Sequence, residues 1–251
     1  MMLLTTCKKD DFQYSFETPS KLLVSISENG QRLSEFKYDN LNRLIQADRY
    51  IFGDTVILSQ YFEYDSKNRL IRKSSGEFTE SYEYNTSGNL DIMTVHFKSA
   101  RDGYEWEQKT ELRYNNGLIS KGIVLSRDGN ESGYITYKYD SRGNTMERTE
   151  YSNSSDYKGI VMTQYKFNYD KKNNPNPITG SFWGDYQMDI TQSNNPVYSY
   201  YYNISMSSFP TQYEYSYDYD DTGLPVKEYR EKIQELSSSN IFEYEYADKL
   251  E

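Results

Sequence analysis

The chain has 251 residues, a net charge of −10, 36% hydrophobic residues and a mean hydropathy of −0.92, with 28 tyrosines but one cysteine and one histidine. An acidic chain without clusters of Lys and Arg is not built to neutralise phosphate, which excludes nucleic acid as a partner and weakens attraction to anionic lipid. One cysteine and one histidine exclude an internal disulfide and any zinc site that draws on several nitrogen or sulfur ligands.

At the amino terminus, Leu3-Leu4-Thr5-Thr6 leads into Cys7 and then Lys8-Lys9-Asp10-Asp11. Residues 1–19 form a terminal segment and tether, and 20–251 a single domain, because one repeated pattern fills the remainder without a Pro/Ser-rich linker. The pattern is a tyrosine followed by Asp or Asn and a turn. It occurs at Tyr38, Tyr64, Tyr84, Tyr114, Tyr139, Tyr169 and Tyr219, at spacings of 20 to 30 residues with a final gap of 50.

Around the first turns the sequence reads Phe36-Lys37-Tyr38-Asp39-Asn40-Leu41-Asn42-Arg43-Leu44, then Phe62-Glu63-Tyr64-Asp65-Ser66-Lys67-Asn68-Arg69-Leu70, then Tyr82-Glu83-Tyr84-Asn85-Thr86-Ser87-Gly88-Asn89-Leu90. Rings alternating with charges have the period of a strand with one covered and one wet face. Asp or Asn opens the turn by accepting backbone N–H bonds, and the Asn or Gly that follows tolerates positive φ. Leu44, Leu70, Leu90, Leu118 and Leu224 start the next strand, so each unit is a β-hairpin. Further hairpin signals stand at Asn29-Gly30, Gly53-Asp54, Asp102-Gly103, Asn116-Gly117, Asp128-Gly129 and Arg142-Gly143.

Counting the runs between these turns predicts an all-β antiparallel meander of about 16 strands. A single open sheet of that size would expose two pairing edges, which favours a closed or partly closed barrel. Lys171 to Ser208 is the least regular stretch and lacks a Tyr-Asp anchor. Val226, Tyr229, Ile233 and Leu236 after Pro225 have helical spacing, but they stand where the repeat starts a strand and are assigned to one. A lipid-spanning barrel would need an apolar band about 25 Å tall, whereas Glu107-Gln108-Lys109-Thr110-Glu111-Leu112-Arg113-Tyr114 interrupts both faces with polar groups.

The unit Tyr-x-Tyr-Asp-x-x-x-Arg-Leu, clearest at 36–44 and 62–70 with Phe in its first place, resembles the Tyr-Asp (YD/RHS-type) repeats of rearrangement-hotspot and teneurin-type surface proteins. With the segment around Cys7 and the insert Tyr169-Asp170-Lys171-Lys172-Asn173-Asn174-Pro175, the whole chain resembles gut-bacterial lipoproteins that share a domain of unknown function with a porin-like barrel fold. That resemblance implies lipidation at Cys7, an outer-membrane location on the periplasmic or cell-surface side, and membrane contact only through the lipid. It brings no catalytic residue and no cofactor.

His96 in Val95-His96-Phe97 has no flagged nucleophile or acid partner and is assigned to the polar face of a strand. Asp218-Tyr219-Asp220-Asp221-Thr222-Gly223 has the oxygen content of a calcium loop but lacks its later acidic ligand, and it coincides with the repeat's turn. The residues singled out for ligand binding are Trp106, Trp183, Tyr186, Tyr198 and Tyr201, whose rings could stack on sugar faces. Repeat tyrosines have a structural use as cross-strand core residues, so the irregular segment carries more of the functional expectation. The leading expectation is a monomeric, non-enzymatic surface lipoprotein binding a glycan or other nutrient. An envelope protein-interaction module and a two-carboxylate glycosidase stand as alternatives.

Overall fold

The computed structural model describes residues 21–51, 55–174, 194–204, 210–233 and 239–249. Its strands are β1 (Lys21–Glu28), β2 (Gln31–Tyr38), β3 (Leu44–Ile51), β4 (Thr55–Tyr64), β5 (Leu70–Ser75), β6 (Phe78–Tyr84), β7 (Leu90–Lys98), β8 (Glu105–Asn115), β9 (Leu118–Leu125), β10 (Glu131–Tyr139), β11 (Thr145–Ser152), β12 (Val161–Asn173), β13 (Asn194–Asn203), β14 (Thr211–Tyr219), β15 (Pro225–Lys232) and β16 (Ser239–Asp248). Each pairs antiparallel with its sequence neighbours, and β1 pairs with β16 from Lys21↔Asp248 to Glu28↔Phe242, which closes the barrel. Closure removes both edges that an open meander would expose. Residues 225–232, whose spacing also suited a helix, form strand β15.

With an even number of strands, β1 begins and β16 finishes at the same end of the barrel. That end also carries the Tyr-Asp turns. In the first of them Asp39 Oδ1 accepts the N–H groups of Leu41 and Arg43, both at 2.9 Å. Asp65 repeats the arrangement with Lys67 and Arg69, and Asp220 with Thr222 and Leu224. The fourth turn residue lies at positive φ, 60° at Asn42 and 62° at Asn68, with Gly88, Gly143 and Gly223 in the equivalent place. Asp220 therefore spends a carboxylate oxygen on the turn.

A register shift follows each of these turns, so Tyr38 faces Leu44 while Lys37 faces Gln46, and Ile45 stands unpaired. The same bulge leaves Ile71 and Met146 over. The extra residue returns the alternation to phase, so that the tyrosine ending one strand and the apolar residue starting the next share a face. On that face Leu23, Leu44, Phe62, Leu70, Tyr82, Leu90, Leu112 and Phe242 are all buried, whereas Lys37, Glu63, Glu83 and Lys138 on the other are exposed. On the convex side of a closed sheet side chains splay into solvent, so the buried set lines the interior.

The interior wall is organised by tyrosine hydroxyls. Tyr64 Oη donates to the Leu44 carbonyl at 2.8 Å, and Tyr38 and Tyr84 donate to Leu23 and Leu70 at 2.7 Å. Tyr114, Tyr139, Tyr169, Tyr217 and Tyr246 make the corresponding bonds to Leu90, Ile119, Thr145, Pro196 and Pro225. Each ring spans from its own strand to the first residues of the preceding one, and Tyr38, Tyr64, Tyr84, Tyr114 and Tyr246 pack against the buried apolar cluster. Arg43 and Arg69 join successive units by lying 4.9 and 4.3 Å from the ring centres of Tyr64 and Tyr84.

The pattern changes where the anchor is missing. Tyr219 holds the turn position, but its hydroxyl bonds Asp170, and Tyr217 takes the carbonyl of Pro196. Asn194 and Asn195, both buried, fill the seam by bonding Asn144, Asp170 and the carbonyl of Lys172.

Tyr64→Phe, which keeps the ring and removes one interior hydrogen bond, is expected to cost about 1 kcal/mol in urea unfolding. Burial holds the hydroxyls of Tyr64, Tyr84 and Tyr215 up to about 12, against an ordinary value of 10.0. A group whose folded value is raised lends stability that is complete below pH 10 and is lost as pH rises toward 12. Alkaline titration followed at the tyrosinate absorbance should therefore show ionisation of these rings together with loss of strand circular dichroism in that window.

Candidate ligand-binding site

Away from the tyrosine girdle the inner wall becomes polar. Lys73 Nζ meets Glu80 Oε1 at 2.6 Å, and Tyr82 donates to Glu80 Oε2 at 2.7 Å. Across β14 to β16, Arg230 donates to Glu228 Oε1 at 2.6 and 2.9 Å while Tyr244 donates to Oε2 at 2.6 Å. The guanidinium lies 4.1 Å from the centre of the Phe242 ring, and burial followed by the neighbouring Glu228 pushes the Tyr244 hydroxyl well up. Such charges tolerate burial because each has a bonded partner.

Nearer the opposite end, where β1–β2, β7–β8, β9–β10 and β11–β12 are joined, a pocket of roughly 230 Å³ opens on the inner wall. Its lining includes Gln108, Ser132, Glu150, Ser152, Thr163 and Asn203, with Gly133 and Val124 between them. Space arises there because inward positions filled by rings elsewhere hold glycine and small polar residues. Gly133 faces Ser152 across the β10–β11 ladder, and a Cβ added to it would lie 2.5 Å from the carbonyl oxygen of Tyr151. Among the described residues the lining includes one carboxylate and no Lys or Arg, so its donors and acceptors are mostly neutral amides and hydroxyls.

Of the residues expected to bind a ligand, Trp106 and Tyr201 fall on this inner wall. Trp106 lies two positions before Gln108 on β8, and Tyr201 two before Asn203 on β13, so both strands carry a ring next to a pocket-lining amide. Phe97 stacks on Trp106 with ring centres 6.3 Å apart, and Phe78 and Tyr104 pack against Phe97 at 4.8 and 6.4 Å. Tyr201 packs on Tyr165 at 5.0 Å.

Tyr198, three residues from Tyr201, takes the opposite face and donates its hydroxyl to Gln212. The structure thus separates it from Trp106 and Tyr201. Cys7, Trp183 and Tyr186 lie outside the described residues. His96 pairs with Thr79 and Glu107 on the outward face of β7. Sequence reasoning did not single out Gln108, Glu150, Thr163 or Asn203. A glycine at an inward strand position, Gly133, was the local signal that could have located them.

The chain is an all-β barrel of porin-like fold. A crystal structure of a porin-like protein from Bacteroides uniformis ATCC 8492 superposes with a TM-score of 0.55 over 91% of this chain and 98% of that one, at 12% identity. At that identity the likeness is one of fold. No protein-family model and no curated protein matches the sequence.

Gly133→Ala places a methyl group against a backbone oxygen and should destabilise the barrel by about 1–3 kcal/mol in thermal or urea unfolding. A variant as stable as the parent would show that the Gly133 approach is not constrained.

Proposed function

We propose that the chain is a non-enzymatic binding protein of the cell envelope, held at the outer membrane by a lipid on Cys7, whose barrel receives a sugar or similar small polar nutrient in the inner-wall pocket. The observation that carries this reading is the combination of a neutral, amide- and hydroxyl-lined pocket with the rings of Trp106 and Phe97 on the adjoining wall. Sugar rings present hydroxyls at their edges and C–H groups on their faces, and this wall offers acceptors and donors to the first and aromatic planes to the second. At roughly 230 Å³ the pocket is smaller than the 300–1,000 Å³ of typical drug-sized sites, which suits one ring or the end of a chain.

The outward strands support attachment through a lipid over insertion of the barrel itself. Lys37, Glu63, Glu83, Glu107, Lys109, Glu111, Lys138, Lys227 and Glu243 project from the convex side. A charge near the bilayer midplane on a lipid-facing strand costs about 2–4 kcal/mol for Lys or Arg. A charged exterior is the opposite of the apolar outer band that a lipid-spanning barrel requires.

A second reading, a protein-interaction module, is favoured by Ile51, Val56, Ile57, Tyr104, Tyr157, Ile204 and Ile233, exposed side chains grouped near the end of the barrel opposite the Tyr-Asp turns. The glycosidase reading needs two carboxylates a fixed distance apart, and among the described residues the pocket lining contributes Glu150 alone.

A glycan array followed by calorimetry on the full chain should yield a sugar ligand whose affinity falls at least several-fold in Trp106→Ala and stays unchanged in Tyr198→Ala. Absence of any sugar ligand, with a protein partner recovered by cross-linking through the exposed apolar residues, would transfer the assignment to the second reading.

A further inference from the structure

We infer that Glu150 is the ligand anchor of the pocket and that it selects sugars bearing a protonated amine over neutral ones, and neutral ones over acidic ones. The inference rests on the pocket being the ligand site, as proposed above, and adds the charge class of the ligand.

The other carboxylates of the inner wall are fully engaged. Glu80 is bonded by Lys73 and Tyr82, and Glu228 by Arg230 and Tyr244, at 2.6 to 2.9 Å. Glu150 differs. Its Oε2 lies 3.8 Å from Arg148 Nη1, beyond hydrogen-bond reach, and among the described residues neither carboxylate oxygen accepts a hydrogen bond. The side chain is 25% exposed and lines the pocket, whereas Arg148 is buried, lies 5.9 Å from the Tyr165 ring centre and is not part of the lining.

A carboxylate partly removed from water, with an ion pair at 3.8 Å but no hydrogen-bond donor among the described residues, gains from a ligand that supplies N–H or O–H groups. An ammonium group does so with a charge-assisted bond roughly twice as strong as a neutral one. A carboxylate on the ligand would meet Glu150 with like charge, and the one cation close to Glu150 among the described residues, Arg148 at 3.8 Å, stands outside the lining and is already paired with it. The net charge of −10 acts in the same sense by drawing cations toward the protein. Gln108, on the same lining, adds an amide able to take a ring hydroxyl.

The test is titration calorimetry of the full chain with glucosamine, glucose and glucuronate, repeated with the galactose series, on the parent and on Glu150→Gln. The amine is expected to bind about fivefold more tightly than the neutral sugar, the acid not detectably, and the difference between amine and neutral sugar should vanish in Glu150→Gln at unchanged melting temperature. Should that variant fail to fold, the parent still decides, because the amine preference must narrow as salt is raised. Equal binding of amine and neutral sugars, a preference insensitive to salt, or one that persists in a folded Glu150→Gln overturns this inference and leaves the pocket as a sugar site. Absence of binding by every sugar in both series overturns the inference and the pocket reading together.

Discussion

The hydrogen bond from a tyrosine hydroxyl to the first carbonyls of the preceding strand is the interaction on which this barrel depends. Without it, a tyrosine at the end of a strand would have to reach water or bury an unpaired hydroxyl. With it, the ring lies along the inner wall, covers a leucine or its equivalent, and ties the hairpins to each other. Around the wall Tyr38, Tyr64, Tyr84, Tyr114, Tyr139, Tyr169, Tyr217 and Tyr246 make this bond, the last on the strand that closes the barrel against β1. A chain with a mean hydropathy of −0.92 can still enclose a covered interior because its rings serve as both apolar lining and hydrogen-bond donors.

The same constraint sets the exterior. Once bulges after each turn send tyrosine and leucine inward together, the alternating Lys and Glu point outward. Fold likeness to a porin-like protein therefore does not carry over a membrane-spanning role. The pocket, in turn, exists only where the repeat relaxes. At the pocket itself the inward positions hold Gln108, Gly133, Ser152, Thr163 and Asn203 in place of rings, and Glu150 lacks the hydrogen-bonded partners given to Glu80 and Glu228. The site is a local departure from a structural rule.

Much of this architecture was legible in the amino-acid order. Alternation around Phe36, Tyr38, Phe62 and Tyr64 gave the strand period, Asp39 and Asp65 gave the turns, and counting them gave about sixteen strands. Bulges at Ile45, Ile71 and Met146 were not legible, since an unpaired residue has no composition of its own and is defined only by its partner strand. Closure was anticipated from the general cost of exposed edges, but the residues that achieve it, Lys21↔Asp248 onward, stand at opposite ends of the chain with no local signal. Among the aromatic residues singled out for binding, Trp106 and Tyr201 face inward and Tyr198 outward, because three residues separate the two tyrosines onto opposite faces, which composition does not show. Glu150 was one acid among 38 Asp and Glu residues, and only the mismatch with Arg148 distinguishes it.

The central claim is that the tyrosine and leucine face is enclosed while the charged face meets solvent. Thiol accessibility at adjacent positions tests it most directly: in a Cys7→Ser background, cysteine is placed singly at Phe62, Glu63, Tyr82 and Glu83, and reaction with a charged maleimide is timed in the folded protein. Rapid labelling at 63 and 83 with protection at 62 and 82 until denaturant is added is the expected outcome. Labelling at 62 and 82 as fast as at 63 and 83, or faster, would contradict the account.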